Sequence, residues 1–494
     1  MPLPRTPLRS PSGPPPPPSP GNAPPSSPGN PLPAPSGVTR SRAQGFDPDS
    51  VRRFRFLDHL LDLGAGRIDL GYRLEGPGVE EELREVVDLG APVARLEPAR
   101  IAALERAVEL LHLVAGVSYY KACFAAEVAV EKGTRLDAEL AAFLRRLYDL
   151  GLAECRYVNG LEGRRIPDFP VTGQGGAACG PAGLPDRPLV PIGGGKDSIV
   201  TLEAVRSCGR SPLLFSVGDH PAVLRTAAVA GLPHVVFRRR LDPRLLELNR
   251  AGAINGHVPV TAVVTCLALI AALIHGASAV VMADERSASV GSVEWDGIEV
   301  NHQYSKGWDF ERRLGAVVRR RIASDLSCFS LLRPWSELAI ARRFASLSQY
   351  HHAFLSCNHA YREDPSRRSA GWCCDCPKCR FVALALAPFL DPDRLVEIMG
   401  RNLLDDPSQL PGFAALLGID ADKPLECVGE VEEGRVAMRL AARSAAWRGA
   451  AVVRVLNEHP LVRELPDAIV EAVLAPAAEH GIPEPYRGCA DALG

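Results

Sequence analysis

Short apolar runs alternate with segments of helical periodicity between residues 189 and 283. Each run has the length of a buried strand, and the segments between them place apolar residues at helical spacing. Such alternation is typical of a doubly wound α/β fold, in which a parallel sheet carries helices on both faces. We predict strands at Leu189–Ile192, Leu213–Val217, His234–Phe237 and Ala279–Ala283, and helices at Asp197–Arg206, Ala222–Ala230 and Thr261–His275.

The regions on either side of this segment have a helical pattern. Apolar residues recur at helical spacing between residues 46 and 170, where one alternating stretch, Arg67–Leu74, favours a short strand. A Gly- and Pro-rich stretch follows it and is typical of a connection. We predict a mostly helical N-terminal domain (46–170), a linker (171–188), an α/β domain (189–400) and a helical C-terminal region (401–494).

Composition limits the class of protein. Residues 1–45 are rich in Pro, Ser and Gly and have too little apolar surface to offset the entropy of ordering, which predicts a disordered tail. The net charge of -2 gives no bulk attraction to nucleic acid. The apolar run Val260–Ile274 has 15 residues and is shorter than the ~20 that a bilayer requires, so we expect a buried helix and no membrane insertion. Thirteen cysteines without an export signal indicate a reducing, cytoplasmic location.

A second kind of element follows the α/β segment. Apolar residues alternate on both sides of Asp296-Gly297, which predicts a β-hairpin over residues 293–300 with a type I′ turn. The hairpin is followed at once by a group of side chains able to bind substrate or transfer protons: Asn301, His302, Tyr304 and Lys306.

A glycine-rich motif, GGGKDS, directly follows the first predicted strand. The Walker pattern needs Ser or Thr after Gly-Lys, and the dinucleotide-binding pattern needs a third glycine at a fixed offset, so neither fits. The PP-loop pattern of ATP pyrophosphatases, Ser-Gly-Gly-x-Asp-Ser, fits at five of its six positions. Gly193 replaces the usual Ser and removes one hydroxyl contact.

The other residues of this motif suit a polyphosphate. Gly194 and Gly195 let backbone N–H groups approach phosphate oxygens, and the next helix presents its positive N-terminus. Ser198 can donate a hydroxyl, Lys196 supplies charge for a departing pyrophosphate, and Asp197 can face Mg²⁺. We therefore predict that the motif binds ATP with Mg²⁺ and that AMP and pyrophosphate are the products. The alternative is a tight strand-to-helix turn with Asp197 as the N-cap.

Two further groups of residues suggest binding sites. Cys373, Cys376 and Cys379 have C-x2-C-x2-C spacing, and Cys357 upstream completes four thiolates, which predicts a closed zinc site or an iron-sulfur cluster. His359 could replace Cys357, and Cys374 is the spare thiol. The second group follows the last predicted strand: Asp284 is a candidate for catalysis, and Asp284 and Glu285 both suit contact with Mg²⁺ or substrate. The other candidates for substrate contact are Arg286, Ser287 and Asn301.

The segment around "LLRPWSELAIARRFA" and the cysteines is similar to the end of the 7-cyano-7-deazaguanine synthases, which are PP-loop enzymes with a zinc site. A narrower resemblance covers nearly everything after the tail. The stretches "VPIGGGKDS", "VVMADERSAS", "VEWDGIEVNHQYSK", "WCCDCPKCRF" and "ECVGEVEE" resemble the UDP-N-acetylmuramoyl-L-alanyl-L-glutamate epimerase (MurL) family. Gly307 stands where this family is expected to have Ser.

The resemblance implies an ATP-dependent inversion of the terminal L-glutamate of UDP-MurNAc-L-Ala-L-Glu, through an acyl adenylate, in peptidoglycan precursor synthesis. His302 is the first candidate proton carrier because of its ordinary pKa, and Lys306 and Tyr304 are the others if burial lowers their pKa values.

Two alternatives stay open from sequence. One is a PP-loop enzyme that forms amides or nitriles or thiolates tRNA, although Cys208, Cys266 and Cys328 lie singly in apolar settings that look inert. The other is a non-catalytic, zinc-stabilised nucleotide-binding protein.

Overall fold

The computed structural model describes residues 45–131, 134–174, 178–362, 365–419 and 423–493. The predicted disordered tail lies outside these ranges, apart from Gly45. The strands of the described residues are β1 Arg53–Asp62, β2 Arg67–Gly76, β3 Val79–Asp88, β4 Glu127–Val130, β5 Pro188–Pro191, β6 Leu213–Val217, β7 His234–Arg240, β8 Ala279–Met282, β9 Val293–Trp295, β10 Ile298–Val300 and β11 Ser327–Ser330.

The α-helices are α1 Pro98–Ala115, α2 Val117–Tyr120, α3 Ala138–Gly151, α4 Ala153–Val158, α5 Lys196–Ser207, α6 Pro221–Ala230, α7 Pro243–Arg250, α8 Val260–His275, α9 Trp308–Val317, α10 Glu337–Ala345, α11 Pro377–Leu386, α12 Pro392–Met399, α13 Leu410–Leu416, α14 Val431–Arg443, α15 Ala451–Asn457, α16 Pro460–Arg463, α17 Asp467–Leu474 and α18 Arg487–Asp491. Short 3₁₀ turns include Arg286–Ser289, Tyr304–Lys306 and Asn358–Tyr361, and α9 continues into a π-helical turn at Val318–Ile322.

Nine of the described strands form one sheet in the order β11-β8-β5-β6-β7-β3-β2-β1-β4. The five strands from β11 to β7 are parallel, as the sequence predicts for the α/β segment. Strand order reverses beside β5, because β6 lies on one side of it and β8 on the other. In sheets of this kind, ligands collect outside the carboxyl ends of the strands at that reversal.

Both faces of the parallel part are covered. Leu189 of β5 joins the apolar core that contains α1 and α8, whereas its neighbour Val190 joins the core that contains α5 and α10. Successive side chains of a strand point to opposite faces, so this division is expected for a doubly wound sheet. Helix α8 is the predicted buried helix, and β8 follows it as expected. In the described ranges, no helix is both long and apolar enough to cross a membrane.

The prediction of a mostly helical N-terminal region is correct only in part, because α1 to α4 lie there together with four strands. The single expected strand is β2, and β1 and β3 pair with it on either side to form an antiparallel meander. Strand β3 was missed because its sequence, VEEELREVVD, keeps charged residues on an exposed face and so lacks a clear apolar alternation. Strand β1 was missed because its register shifts between Phe56 and His59.

This meander extends the parallel sheet. Val86 to Asp88 of β3 pair antiparallel with Arg238 to Arg240 of β7. At the junction the buried Glu85 carboxylate accepts two hydrogen bonds from the Arg239 guanidinium, at 2.6 and 2.8 Å. A single sheet therefore runs through the predicted N-terminal and α/β regions.

The predicted connection at 171–188 is fixed to the fold in its described part. The Asp325 carboxylate accepts hydrogen bonds from the backbone N–H groups of Ala182 and Leu184, at 2.8 and 3.0 Å. The following strand, β5, therefore starts from an anchored segment. After residue 400 the described chain is helical from α13 to α18, as predicted.

Candidate functional site

The glycine motif lies between the end of β5 and the start of α5, at the reversal of strand order. Gly194 has a φ of 81°, in the left-handed region that favours glycine. A Cβ atom at Gly194 would lie 2.9 Å from the Tyr361 hydroxyl, which donates to the Gly193 carbonyl at 3.0 Å. The Gly194 carbonyl accepts from the Leu355 N–H at 2.8 Å. The loop is therefore held in a shape that requires glycine at its centre.

The Ser198 hydroxyl joins the first turn of α5 to the glycine loop by hydrogen bonds. Its hydroxyl donates to the Gly195 carbonyl at 3.1 Å and accepts from the Gly193 N–H at 3.4 Å. Gly195 occupies the N-cap position without a side-chain cap, so the alternative in which Asp197 caps the helix is wrong. The Asp197 carboxylate instead pairs with the ammonium of Lys196.

Lys196 is buried, and its ammonium lies between the carboxylates of Asp197 and Glu337. Lys378 approaches the other oxygen of Glu337 at 3.4 Å. Burial alone would raise the pKa of Glu337, but the two ammonium groups outweigh it and hold the pKa at about 2. Burial alone would lower the pKa of Lys196, but the two carboxylates raise it above its ordinary value. These four side chains, called the loop cluster below, form a set of matched charges.

The cysteine group lies directly beside the loop cluster, because Lys378 stands between Cys376 and Cys379 at the start of α11. The four predicted ligands, Cys357, Cys373, Cys376 and Cys379, place their sulfur atoms within 4.8 Å of one another. The Sγ atom of Cys379 lies 3.5 Å from that of Cys376 and 3.8 Å from that of Cys373.

These spacings fit one ion. Thiolates around a tetrahedral zinc, with Zn–S bonds of about 2.3 Å, lie about 3.8 Å apart, whereas a cubane cluster spreads its thiolates over several iron atoms. Backbone N–H groups of Cys373, Cys376 and Cys379 point at ligand sulfurs at 3.3 to 3.4 Å, as in preformed thiolate sites. Cys374 turns away and donates to the Met399 carbonyl. The group is compatible with zinc, and His359 does not belong to it.

The predicted hairpin is present as β9 and β10. Trp295 pairs with Ile298, and Asp296 and Gly297 between them both have positive φ, 51° and 74°, as a type I′ turn requires. The hairpin delivers the following 3₁₀ turn, Tyr304–Lys306, against α8 and α9.

Lys306 is the residue of this turn that faces the site. Its ammonium lies 3.4 Å from the amide oxygen of Gln303 and 3.9 Å from the Cys427 sulfur. Burial would lower the pKa of Lys306, but Cys427, Glu285, Asp284 and Asp197 together raise it above its ordinary value. Since Asp197 belongs to the glycine motif, the end of the hairpin lies within electrostatic range of the loop.

His302 is paired with a carboxylate. Its Nδ1 lies 2.5 Å from the Glu154 carboxylate, and its ring stacks on His257 with centroids 4.0 Å apart. Burial would lower the pKa of His302, but hydrogen bonds to Cys427 and Glu154 raise it to about 10. Glu154, His302, Cys427 and Lys306 are called the hairpin cluster below.

The same cluster could be mistaken for a metal site, because ligand atoms of Glu154, His257 and His302 lie within 4.8 Å of one another. The direct contact of 2.5 Å between His302 and Glu154 is shorter than the roughly 3 Å expected between two ligands of one ion at bond lengths near 2.0 Å. Burial and the positive charges of His302 and Lys306 lower the pKa of His257 to about 3, so it is neutral. The geometry favours a hydrogen-bonded pair over a metal site.

The carboxylates after β8 lie at the carboxyl end of the sheet. Burial raises the pKa of Asp284 to about 7, against the lowering effect of Arg333 and Lys306. Burial and the neighbouring Glu337 raise the pKa of Glu285 as well. Asp284 can therefore carry a proton near neutral pH, as an acid in a proton transfer must.

Arg333, which sequence reasoning missed, fixes the two segments that carry these groups. Its buried guanidinium donates to the Glu285 carbonyl at 2.6 Å and to the Lys306 carbonyl at 2.5 Å, and it pairs with Glu311 at 2.8 Å. One side chain therefore sets the distance between the end of β8 and the end of the hairpin.

Four predicted site residues have their polar atoms engaged elsewhere. Tyr304 donates to the Asp309 carboxylate at 3.0 Å, and its pKa is raised by burial and by Asp309. Asn301 donates to the Ala288 carbonyl at 2.9 Å. Arg286 donates to backbone carbonyls of the C-terminal region, and Ser287 donates to Glu433 at 2.5 Å.

Only weak signals in the sequence pointed to the residues that were missed. Glu337, Glu433 and Cys427 lie in stretches that resemble the epimerases, but nothing in one sequence shows that they meet the glycine motif or the hairpin. Glu433 accepts from Ser287 and from the Glu337 and Glu430 N–H groups, the latter two at 3.1 Å. Burial raises its pKa to about 8.

Comparison with known proteins identifies the family of this chain. Residues 45–331 match the model of the MurL N-terminal domain, and residues 353–468 match that of the MurL C-terminal domain. The chain is 45% identical over 441 residues to the UDP-N-acetyl-alpha-D-muramoyl-L-alanyl-L-glutamate epimerase of Xanthomonas oryzae, covering 89% of this chain and 96% of the relative. Proteins of the same name from Micromonospora sp. and Salinispora tropica are 43% and 42% identical, over 88% and 89% of this chain and 96% and 95% of theirs. The chain therefore belongs to the MurL family of epimerases.

Proposed function

We propose that this enzyme inverts the terminal L-glutamate of UDP-MurNAc-L-Ala-L-Glu, using ATP to activate the glutamate carboxylate as an acyl adenylate. The three relatives are named as epimerases of this substrate. One observation supports the ATP-dependent mechanism: Lys306, at the end of the hairpin, lies close enough to Asp197 of the glycine motif for that carboxylate to help raise the pKa of Lys306.

Activation belongs to the glycine motif. We assign it as a PP-loop, supported by the position of the motif after β5 and by the reversal of strand order there. Backbone N–H groups at the start of α5 suit a polyphosphate, and Ser198 adds a hydroxyl. Mg²⁺, held by Asp197, would neutralise the phosphates. A substrate carboxylate oxygen attacks the α-phosphate, and pyrophosphate leaves.

The adenylate explains why an epimerase uses ATP. An α-proton beside a carboxylate is very weakly acidic, because its removal builds a dianion. An acyl adenylate lacks that charge and has an electrophilic carbonyl, so a side-chain base can take the proton. Hydrolysis of the adenylate then releases AMP and makes the overall step effectively irreversible.

Proton transfer belongs to the groups around Lys306. The Lys306 ammonium is well placed to stabilise the enolate that forms at the activated carboxyl group. Asp284 suits the return of a proton, because its pKa of about 7 leaves it partly protonated near neutral pH. His302 supplies positive charge from the other end of the hairpin cluster. Tyr304 is the least suited of the predicted carriers, because Asp309 holds its hydroxyl.

The remaining assignments follow from this reaction. We assign zinc to the four cysteines as a structural ion, which would hold the start of α11 and hence Lys378 against Glu337. The partner is a small nucleotide-linked muramoyl dipeptide, and the product enters peptidoglycan precursor synthesis, for which we propose a cytoplasmic location.

Incubation of the protein with ATP, Mg²⁺ and the L-glutamate substrate in heavy water tests the proposal. The expected products are AMP, pyrophosphate and a D-glutamate product with deuterium at the α-carbon. Asp197→Ala should lose pyrophosphate release. Consumption of substrate without α-deuterium would rule out epimerisation, and turnover without ATP would rule out the adenylate.

A further inference from the structure

Cys427 lies between the two hairpin-end residues best suited to proton chemistry. The Lys306 ammonium is 3.9 Å from its sulfur, and His302 lies close enough to lower the pKa of the thiol. Glu154 holds the other side of the His302 ring at 2.5 Å. A chain of contacts therefore runs from Glu154 through His302 and Cys427 to Lys306, whose charge acts on the glycine motif.

The segment that carries Cys427 is fixed against the fold. Glu426 accepts a hydrogen bond from Asn358, and the Val428 N–H donates to the Glu426 carbonyl at 2.7 Å. Gly429 packs so closely that a Cβ atom there would lie 2.1 Å from the Glu433 carboxylate and 2.4 Å from the Phe381 ring. These contacts fix the backbone on both sides of Cys427 and therefore restrict the position of its sulfur.

The surroundings of Cys427 differ from those of the cysteines in the apolar core. Burial raises the pKa of Cys266 to about 12, and the pKa of Cys123 likewise to about 12. Burial would raise the pKa of Cys427 too, but Lys306, His302 and Lys378 lower it to about 7. The largest electrostatic effects on the thiol thus come from positive groups, as a thiolate requires. Glu426, on the same segment, turns to Asn358.

We propose that Cys427 is one of the two proton carriers of the epimerisation, acting as a thiolate on one face of the glutamate α-carbon. This assignment rests on the proposed function. The Cys427 sulfur takes the α-proton and becomes a thiol, and the electron pair of the C–H bond passes into the activated carboxyl group as an enolate. A carboxylic acid on the opposite face, for which Asp284 is suited, then gives its proton to the α-carbon. The thiol and the carboxylate re-equilibrate with solvent water.

Spacing assigns Lys306 a different role. Two carriers on opposite faces of one carbon, each at about 3 to 3.5 Å, lie about 6 to 7 Å apart. Lys306 and Cys427 are much closer than that, so they act from the same side. Lys306 is then the charge partner of the thiolate and of the enolate, and His302 positions the sulfur.

The test separates adenylation from proton transfer in the variants Cys427→Ala and Cys427→Ser. Substrate-dependent AMP formation should stay within a few-fold of the unmodified enzyme, whereas deuterium incorporation from heavy water should fall by about 100-fold or more. Cys208→Ser, at an exposed cysteine, is the matched control and should change neither rate.

Each other outcome is decisive. If the unmodified enzyme forms neither AMP nor deuterated product, the proposed function fails. If the unmodified enzyme is active and Cys427→Ala incorporates deuterium at an equal rate, only the assignment of Cys427 fails. If both variants lose AMP formation together with deuterium incorporation, Cys427 has a structural role and the proposal is overturned.

A second measurement needs no turnover. The rate of iodoacetamide alkylation at Cys427, followed by peptide mass spectrometry from pH 5 to 10, should rise with a midpoint near pH 7. In Lys306→Met the midpoint should move up by at least one pH unit, because the nearest positive charge is gone. A midpoint of 9 or above in the unmodified enzyme would contradict the thiolate.

Discussion

The loop cluster and the hairpin cluster are both buried groups of charged side chains, yet they differ in how their charges are matched. In the loop cluster, Lys196 and Lys378 face Asp197 and Glu337, and this pairing lowers the pKa of Glu337. In the hairpin cluster, His302 is paired with the Glu154 carboxylate, and Lys306 and His302 both lower the pKa of the Cys427 thiol.

The difference indicates that the two clusters have different roles in the proposed reaction. Matched pairs hold fixed charges and positions, which suits the binding of a nucleotide whose charge does not change during proton transfer. Around the hairpin, the pKa values of Asp284 and Cys427 are both brought to about 7 from opposite directions. Groups whose pKa values are shifted toward neutrality are those that can exchange protons during turnover.

The largest effect should come from removing a zinc ligand. If the four cysteines hold zinc as proposed, Cys376→Ser should lose the metal and cost on the order of 5 kcal/mol or more of unfolding free energy, since the ion would organise the start of α11. Cys374→Ser, two residues away, is the control and should retain one zinc per chain by elemental analysis. Equal zinc content in both variants would exclude the proposed ligand set.

Breaking the loop cluster should come next. Glu337→Gln leaves the buried ammonium of Lys196 without one of its two carboxylate partners and should lower the free energy of unfolding by about 3 to 5 kcal/mol, measured by urea denaturation. Glu397→Gln removes an exposed ion pair with Arg394 and should cost less than about 1 kcal/mol. A similar small loss at Glu337 would mean that the cluster is not a matched scaffold.

The pH dependence of stability should show the raised pKa of the Asp284 carboxyl group. A carboxyl group whose pKa is raised by folding, here from 3.8 to about 7, holds its proton more tightly in the native state. Its contribution is present at low pH and is lost as the pH rises toward 7, a loss on the order of 3 kcal/mol. Asp284→Asn should remove this part of the slope between pH 4 and 7, and identical slopes would contradict the raised pKa.

The smallest effect should be that of Tyr304→Phe. The hydroxyl donates to Asp309, which keeps its ion pairs with Arg146 and Arg313, so the loss of stability should be about 1.5 kcal/mol. The rate of epimerisation should stay within about three-fold of the unmodified enzyme. A loss of 100-fold or more would return Tyr304 to the list of proton carriers.

The local parts of the fold were readable from sequence, because strand length, helical periodicity and the Asp-Gly turn depend on neighbouring residues. The hairpin and the α/β alternation are confirmed for that reason. Strands β1 and β3 were missed because a bulge and a charged outer face hide their alternation.

Only some of the residues of the candidate site could be predicted from the sequence. The four cysteines are close in sequence or share a motif, so their grouping is confirmed. Cys427 and Glu337 meet their partners only through the tertiary fold, 121 residues from Lys306 and 141 residues from Lys196 respectively. Residues at that separation reveal their pairing only when the chain is folded.

Transfer of ¹⁸O from the substrate to AMP tests the central claim, activation of the glutamate carboxylate as an adenylate. Substrate labelled with ¹⁸O in the terminal α-carboxylate should give AMP with one ¹⁸O atom in its phosphate, in step with formation of the D-glutamate product. AMP without the label, at full conversion to the inverted product, would contradict the adenylate and with it the role of the glycine motif.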